Sequence, residues 1–405
     1  MPTDPRMLSA AQTPKSLERP MRILVVDDLA LNRDLLARRI QRLGHEPGMA
    51  VNGRDALEKL EQEDWDLVLL DITMPEMDGY EALRRIRASP ATAQLPVVMV
   101  SAIDESESVV RCLELGADDY LPKPFNPLVL QARIASSLAK KRLQDQKSQL
   151  LQALSRELDI GRRIQQGFLP MDLPVLAGWT LGASCSPARQ VGGDFYDAFL
   201  LPQGQLAFVV ADVCDKGVGA ALYMALFRTL LRAMACQARP DESPAETLVR
   251  SVAFANDYIA TVHGHENMFA TVFFALLDPH TGRMHYLNAG HEGPWVLQAQ
   301  GGFLAQLTIT GPAVGLMPGQ RCTVQTIDLQ PGARLLLFTD GVTEALGASG
   351  TFGDVALGQV FAHTSGTAQA VVDSVRTRLA QHVGAFEPHD DMTLFCVIRE
   401  SATEP

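Results

Sequence analysis

The run Ile23-Leu24-Val25-Val26 is apolar without interruption and stops at two aspartates, Asp27 and Asp28. A strand with no polar alternation is buried on both faces, so it belongs inside a sheet covered by helices above and below. The pattern recurs along the chain. A run over residues 66–70 ends at Asp71, one over 96–100 ends at Ser101, and Tyr120-Leu121 stops just before Pro122 and Lys123. Helical periodicity fills the intervals. Over residues 31–43 it puts Leu31, Leu35, Leu36, Ile40 and Leu43 on one side, with Gly44 as the C-cap. Strands separated by helices of about ten to fifteen residues predict a doubly wound, parallel α/β sheet of five strands. Ligands in such sheets bind beyond the carboxyl ends of the strands, where Asp27, Asp28, Asp71 and Ser101 all fall.

Adjacent aspartates after a buried strand are costly unless paired or metal-bound. A third carboxylate at the end of the neighbouring strand makes a pocket for a hard cation, and Mg²⁺ is the fit because it is small, oxygen-seeking and commonly paired with phosphate. Lys123 would neutralise one phosphoryl oxygen and Ser101 would donate to another. Helix N-capping accounts for one such aspartate, not for the whole set.

These residues sit in V-D-D at Asp27-Asp28, L-L-D-I-T-M-P-E-M-D-G around Asp71, V-S-A at Ser101 and D-Y-L-P-K-P-F around Lys123. In this, residues 21–140 resemble the receiver domain of bacterial two-component response regulators. The resemblance implies that Asp71 accepts a phosphoryl group from a histidine kinase. It implies that Asp27, Asp28, Asp71 and the Thr73 carbonyl hold Mg²⁺, that Ser101 and Tyr120 form a switch pair, and that the Lys123–Pro124 peptide is cis. No DNA-binding helix-turn-helix pattern follows it.

Residues 136–166 change character: there is no proline, one glycine (Gly161), and much Lys, Arg, Gln, Leu and Glu. One long helix, or two in series, is predicted. Leu151, Leu154 and Leu158 fit a coiled-coil seam, while Lys147, Gly161 and Gln165 spoil the flanking heptad positions. A solvated connector and a dimerising one both fit. Beyond Pro170 strands dominate, predicted over 180–185, 195–201, 206–211, 270–277, 284–288, 294–297, 334–339 and 393–398. Helices are predicted over 220–236, 245–261 and 368–382. This grouping predicts an α+β unit, a β-sandwich flanked by helices. The domain reading is a disordered tail over 1–20, a receiver-like domain over 21–140, a helical linker over 141–170 and the second domain over 171–400.

Four more aspartates in that second domain share one context. Asp194, Asp212, Asp340 and Asp390 each adjoin an apolar strand, and three have glycine close by. Carboxylates gathered from remote segments can hold two hard cations, which lower the pKa of a water for in-line attack on phosphorus. An all-oxygen donor set favours Mn²⁺ or Mg²⁺ over zinc. The strings I-Q-Q-G-F-L-P, V-G-G-D-F-Y-D, A-D-V-C-D-K-G-V-G-A-A, N-A-G-H, F-T-D-G-V-T-E and D-D-M-T run in order over about residues 160–400. They resemble the stage II sporulation E / RsbU-type branch of the metal-dependent PPM serine/threonine phosphatases. The resemblance implies two Mn²⁺ or Mg²⁺ ions on Asp194, Asp212, the Val213 carbonyl, Asp340 and one of Asp390 or Asp391, with Asp212 bridging and Asp194 and Asp212 central to catalysis. It implies a phosphorylated STAS-type anti-sigma-factor antagonist as substrate. The chain departs from the pattern at Cys214 and at Asp215, which either adds a metal contact or faces solvent. Arg189 is a phosphate contact or a surface arginine, and His291 is a core histidine or a catalytic one.

Composition narrows the field. The balance of 35 basic against 47 acidic residues, net −12, argues against a general nucleic-acid binder. Six lone cysteines without a C-x-x-C pair predict core thiols in a reducing, cytoplasmic setting. No apolar stretch is expected to span a bilayer, and there is no signal-peptide core. Two competing readings stand. G-G-D-F resembles part of the cyclic-dinucleotide synthase signature, although its surroundings differ. A catalytically silent phosphatase-like binding module under receiver control is the second.

Overall fold

The computed structural model describes residues 19–101, 106–124, 126–299 and 304–401. The expected tail over 1–20 falls outside them except for its last two residues. The chain divides into two compact units, Met1–Ala153 and Leu154–Pro405.

In the first unit the strands are β1 (Arg22–Val26), β2 (Glu46–Ala50), β3 (Leu67–Asp71), β4 (Val97–Ser101) and β5 (Asp119–Pro122). The helices are α1 (Ala30–Arg42), α2 (Gly53–Gln62), α3 (Gly79–Ala88), α4 (Ser106–Glu114) and α5 (Pro127–Gln166). All neighbouring strands pair in parallel, in the order β2-β1-β3-β4-β5. Alternate residues of β1 face opposite layers: Leu24 and Val26 join one apolar cluster, Ile23 and Val25 the other. That two-sided burial explains the unbroken apolar run. Strand β2, Glu-Pro-Gly-Met-Ala, has no such signature. It lies at the sheet edge, where a proline is tolerated.

Helix α1 buries Leu36, Ala37 and Ile40, but Leu31 is 80% exposed and Leu35 43% exposed, contrary to the single apolar side expected. At about 100° per residue, Leu31 and Leu35 lie roughly 140° and 100° round the helix from Leu36. Helix α5 is one continuous element of 40 residues that begins nine residues earlier than its composition suggested. Pro127 opens it, as suits a residue with no amide to satisfy, and Asn126 Oδ1 accepts the Leu128 amide at 2.8 Å.

The second unit holds β6 (Trp179–Ser186), β7 (Phe195–Leu200), β8 (Leu206–Val213), α6 (Val218–Cys236), α7 (Pro244–Val262), β9 (Ala270–Leu277) and β10 (Arg283–Ala289). There follow β11 (Trp295–Leu297), β12 (Leu304–Gln306), β13 (Gln325–Asp328), β14 (Arg334–Phe338), the short α8 (Asp340–Thr343) and a two-stranded ribbon, β15 (Leu346–Gly347) and β16 (Gly350–Thr351). Helices α9 (Gly353–His363) and α10 (Ala368–Val383) precede the last strand, β17 (Met392–Arg399). The main strands form two antiparallel sheets of five, β13-β10-β9-β8-β7 and β12-β11-β14-β17-β6.

Strand alternation builds the layers. Phe208, Phe273, Leu335, Leu337, Phe395 and Val397 meet between the sheets, with the Phe208 and Phe395 rings 5.5 Å apart. Their neighbours Val209, Ala211 and Phe274 face α6 and α7 through Phe227, Leu231 and Val252. Leu336, Phe338, Leu394 and Cys396 face α9 and α10 through Phe361, Val371 and Val375. Truncating any one of these phenylalanines to alanine would cost about 3–5 kcal/mol.

Helix α6 corrects one expectation. By length and composition it could cross a membrane. Its stripe Ala220, Met224, Phe227, Leu231 and Ala235 is buried against the sheet, while Val218 and Leu222 on its other side are exposed.

Candidate active sites

In the first unit, Asp27, Asp28 and Asp71 each offer an oxygen within 4.8 Å of the others. Asp27 and Asp71 are buried and Asp28 is exposed, so the set opens to solvent on one side. Asp27 tolerates burial because its carboxylate is hydrogen-bonded and paired with a cation. It accepts from the Leu29 amide at 2.9 Å, from the Asn32 amide group at 3.1 Å and from Lys123 Nζ at 2.7 Å. Lys123 Nζ also lies 3.0 Å from Asp71 Oδ2. Burial lifts the Asp71 carboxyl above its ordinary range; Lys123 opposes this and the Asp27 charge adds to it. For Lys123 burial acts downward, yet its bonds to Asp27 and Asp71 win and the net shift is upward.

Local sequence explains the placement. Asp78 caps α3, its side chain accepting the Glu81 amide at 2.8 Å. Gly79 has to be glycine, because a Cβ there would lie 2.1 Å from the Asp71 carbonyl oxygen. Thr73 stands two residues past Asp71 on the exposed loop, and Ser101 and Tyr120 are both buried. The Lys123–Pro124 peptide is cis. Three carboxylates within one small span, with no nitrogen or sulfur ligand among them, fit a hard divalent cation such as Mg²⁺.

In the second unit, Asp194 precedes β7, Asp212 lies near the end of β8, Asp340 opens α8 just after β14, and Asp390 and Asp391 precede β17. These ends converge. Thr339 Oγ1 donates to Asp194 Oδ2 at 2.7 Å and accepts the Thr393 amide at 3.0 Å, tying the first strand of one sheet to two strands of the other. Asp194 is fully buried and its carboxyl is pushed well above the ordinary range, first by desolvation and then by Asp212 and Asp391. Asp212 is raised to about 7, by burial and then by Asp340. Asp340 is raised by burial and by Asp390. Mutual repulsion among oxygens with few donors is what a pair of hard cations would relieve, so the residues fit that group. Among the described residues only the first unit's set meets the 4.8 Å spacing; the second is more open.

The two aspartates of D-D-M-T divide. Asp391 is buried, accepting the Ala188 amide at 2.7 Å, the Gly193 amide at 2.7 Å and the Asp194 amide at 3.4 Å. Asp390 is half-buried and meets Lys216 Nζ at 2.8 Å. Asp390 therefore lies beside Asp340 on the open side of the set, while Asp391, next to Asp194, is spent on backbone. The glycines of the motifs make room for this arrangement. A Cβ at Gly192 would lie 2.1 Å from Asp391 Oδ2, one at Gly341 2.0 Å from the Asp391 carbonyl, and one at Gly193 2.6 Å from the Val213 carbonyl. At each of these glycines it is the chain itself that approaches.

The open alternatives fall as follows. Asp215 is exposed at φ +71°, and its side chain accepts the Lys216 amide at 2.8 Å, so it stabilises its own turn. Arg189 is exposed, its Nη1 within 3.9 Å of where a Cβ on Gly217 would stand, beside the loop that follows Asp212. His291 is buried, pairs through Nδ1 with Thr271 Oγ1 at 2.9 Å, and is lowered to about 4 by burial, which keeps it neutral. Sequence reasoning missed Thr339 and Lys216, although both stand inside motifs it quoted, F-T-D-G and D-K-G. It also missed that buried Asp197 of V-G-G-D-F-Y-D pairs with Arg232 at 2.8 Å and Arg228 at 3.2 Å, fastening β7 to α6.

Comparison with known proteins divides the chain in the same two parts. Residues 23–135 match the response regulator receiver domain, and residues 202–400 match stage II sporulation protein E (SpoIIE). The second stretch includes Asp212, Asp340 and Asp390; Asp194 lies ahead of it. "Protein IcfG" of Synechocystis sp. is 40% identical over 263 residues, covering 60% of this chain and 41% of that protein. "Probable transcriptional regulator ycf27" of Cyanophora paradoxa is 37% identical over 152 residues, 38% of this chain and 59% of that one. The chain thus spans about half the length of these curated relatives. Among solved structures, the SiaA-PP2C domain of Pseudomonas aeruginosa aligns with a TM-score of 0.51 at 20% identity, over 62% of this chain and 98% of that domain, a likeness of fold. The chain joins a segment that matches the response regulator receiver domain to one that matches the SpoIIE family and shares the fold of the SiaA-PP2C domain.

Proposed function

We propose that the chain is a two-component response regulator in which phosphorylation of Asp71 controls a metal-dependent serine/threonine protein phosphatase. The observation that carries this reading is the convergence of Asp194, Asp212, Asp340 and Asp390 at one end of the sandwich, with Asp212 raised to about 7 by burial and by its neighbours. Two Mn²⁺ or Mg²⁺ ions held there would polarise a phosphate ester and supply a nucleophile from water. The protein's own part is to hold Asp194 through Thr339, to keep Asp212 on a rigid strand end, and to leave Asp390 facing an open cavity of about 720 Å³ that is also lined by Lys216, Glu344 and Met392. In the receiver, one Mg²⁺ would sit on Asp27, Asp28 and Asp71, while Lys123 receives the new charge on Asp71.

The phosphodonor would be a histidine kinase and the substrate a phosphorylated STAS-type protein, both carried over from family resemblance. The site of action would be the cytoplasm. Signal would pass along α5, whose exposed Leu143, Leu150 and Leu154 also support a homodimer through this helix. The experiment is a comparison of phosphate release from a panel of phosphorylated STAS proteins with and without beryllofluoride. Turnover that changes with the mimic supports receiver control; turnover indifferent to it, in a chain that labels at Asp71, contradicts that part of the proposal.

A further inference from the structure

Lys216 is carried by the loop that leaves β8, four positions after Asp212 and three after Val213 at the strand end. Asp215 at φ +71° and Gly217 at φ +86° bend that loop so that the lysine turns back toward the carboxylates. Its ammonium lies 2.8 Å from Asp390 Oδ2 and also donates to the His389 carbonyl. It is half-exposed and shares with Asp390 the lining of the 720 Å³ cavity. The arrangement places one mobile positive charge on the carboxylate that closes the set from the solvent side. Asp194, Asp212 and Asp340 have no cationic side chain at that distance among the described residues.

We propose that Lys216 is an exchangeable countercation: it neutralises Asp390 when no divalent ion is bound, yields that carboxylate to the ion, and then turns its ammonium to a phosphoryl oxygen in the cavity. The inference rests on the metal-dependent phosphatase reading of the site. It follows from charge and geometry. A lysine side chain has four rotatable bonds and three donors, and it holds its charge on a compact, movable head. An ammonium at hydrogen-bond distance from Asp390 Oδ2 competes by charge repulsion with a divalent ion for that carboxylate. Once displaced, the same ammonium remains tethered at the mouth of the cavity, within reach of a tetrahedral anion, for which a charge-assisted bond is strong.

The test uses the full chain carrying Asp28→Asn, so that Mn²⁺ titrated by calorimetry reports the second site, with and without Lys216→Met. Loss of the competing charge should tighten Mn²⁺ binding about fivefold, the upper range for a half-exposed pair. In the Mn²⁺-loaded protein it should weaken inorganic phosphate about tenfold, one charge-assisted bond. Lys216→Arg, which keeps the charge, should hold both affinities within about twofold of the parent, and serves if the methionine variant folds poorly. Unchanged or weaker Mn²⁺ binding in Lys216→Met overturns the exchange and makes the lysine a plain brace for Asp390. Absence of Mn²⁺ binding in the parent overturns the metal-centre reading itself, and the exchange with it.

Discussion

Asp391 Oδ2 accepts the Gly193 amide at 2.7 Å, binding the segment before β17 to the segment before β7 across 198 residues of sequence. That bond makes the second site a knot of backbone as much as a cluster of side chains. It also separates two adjacent aspartates into different jobs, Asp391 holding the chain and Asp390 facing the cavity.

The division predicts opposite phenotypes. Asp391→Ala leaves the buried amide of Gly193 and the part-buried amide of Ala188 without an acceptor, which should cost about 3 kcal/mol. Asp390→Ala removes a half-exposed side chain and should cost less than about 1 kcal/mol while abolishing Mn²⁺ binding at this site. Thermal unfolding in EDTA, followed by Mn²⁺ titration, reads both. Equal destabilisation by the two substitutions would contradict the assignment.

Glycine spacing gives a sharper contrast. Gly192→Ala and Gly341→Ala put a Cβ about 2 Å from atoms of Asp391, and at least one strand end must move, at about 1–3 kcal/mol or more. Gly219, inside α6, has nothing within 4 Å of where its Cβ would stand, so Gly219→Ala should stabilise by up to about 1 kcal/mol through helix propensity. Denaturant midpoints of the three variants check this; destabilisation by Gly219→Ala would contradict it.

Much of this was legible because burial leaves a plain record. Two-sided strands such as β1 and β14 read as apolar runs, and Asp27, Asp71, Asp212 and Asp340 each stand at or just past the carboxyl end of a strand, while Asp194 and Asp390 stand just before one. Strand β2 was not legible, since an edge strand with Pro47 and Gly48 needs no apolar run. The outward leucines of α1 misled because periodicity does not say which of two adjacent faces meets the sheet. The bracing roles of Thr339 and of Asp391, which the sequence offered only as a metal ligand, were hidden for a different reason: their work is done through hydrogen bonds to distant segments, and only the fold brings those partners within reach.

Acidity should report the site in the metal-free chain. Asp212 sits at about 7 in the folded state against 3.8 ordinarily, so the stability it contributes is whole below about pH 4 and is lost as pH rises through about 7. Asp212→Asn escapes that loss. In EDTA the variant should therefore match the parent near pH 4 and unfold several degrees above it at pH 8, while failing to gain stability from Mn²⁺. Melting curves that stay parallel across this range would contradict the repulsion on which the metal fit rests.

In the receiver, Asp71→Asn should abolish labelling by radioactive acetyl phosphate, and Lys123→Ala should leave the Asp27–Asp71 repulsion unopposed and weaken labelling without removing the acceptor. Autoradiography of the three proteins checks this; label retained on Asp71→Asn would place the acceptor elsewhere.

The central proposal is that remote carboxylates of the second unit form one metal-dependent hydrolytic centre. The direct measurement is phosphate release from a phosphoserine protein substrate as Mn²⁺ is titrated into the full chain and into Asp340→Asn. The predicted rate rises with Mn²⁺ to saturation in the parent, vanishes in EDTA, and falls at least about a hundredfold in the variant. Hydrolysis at full rate in EDTA, or undiminished in Asp340→Asn, would contradict it.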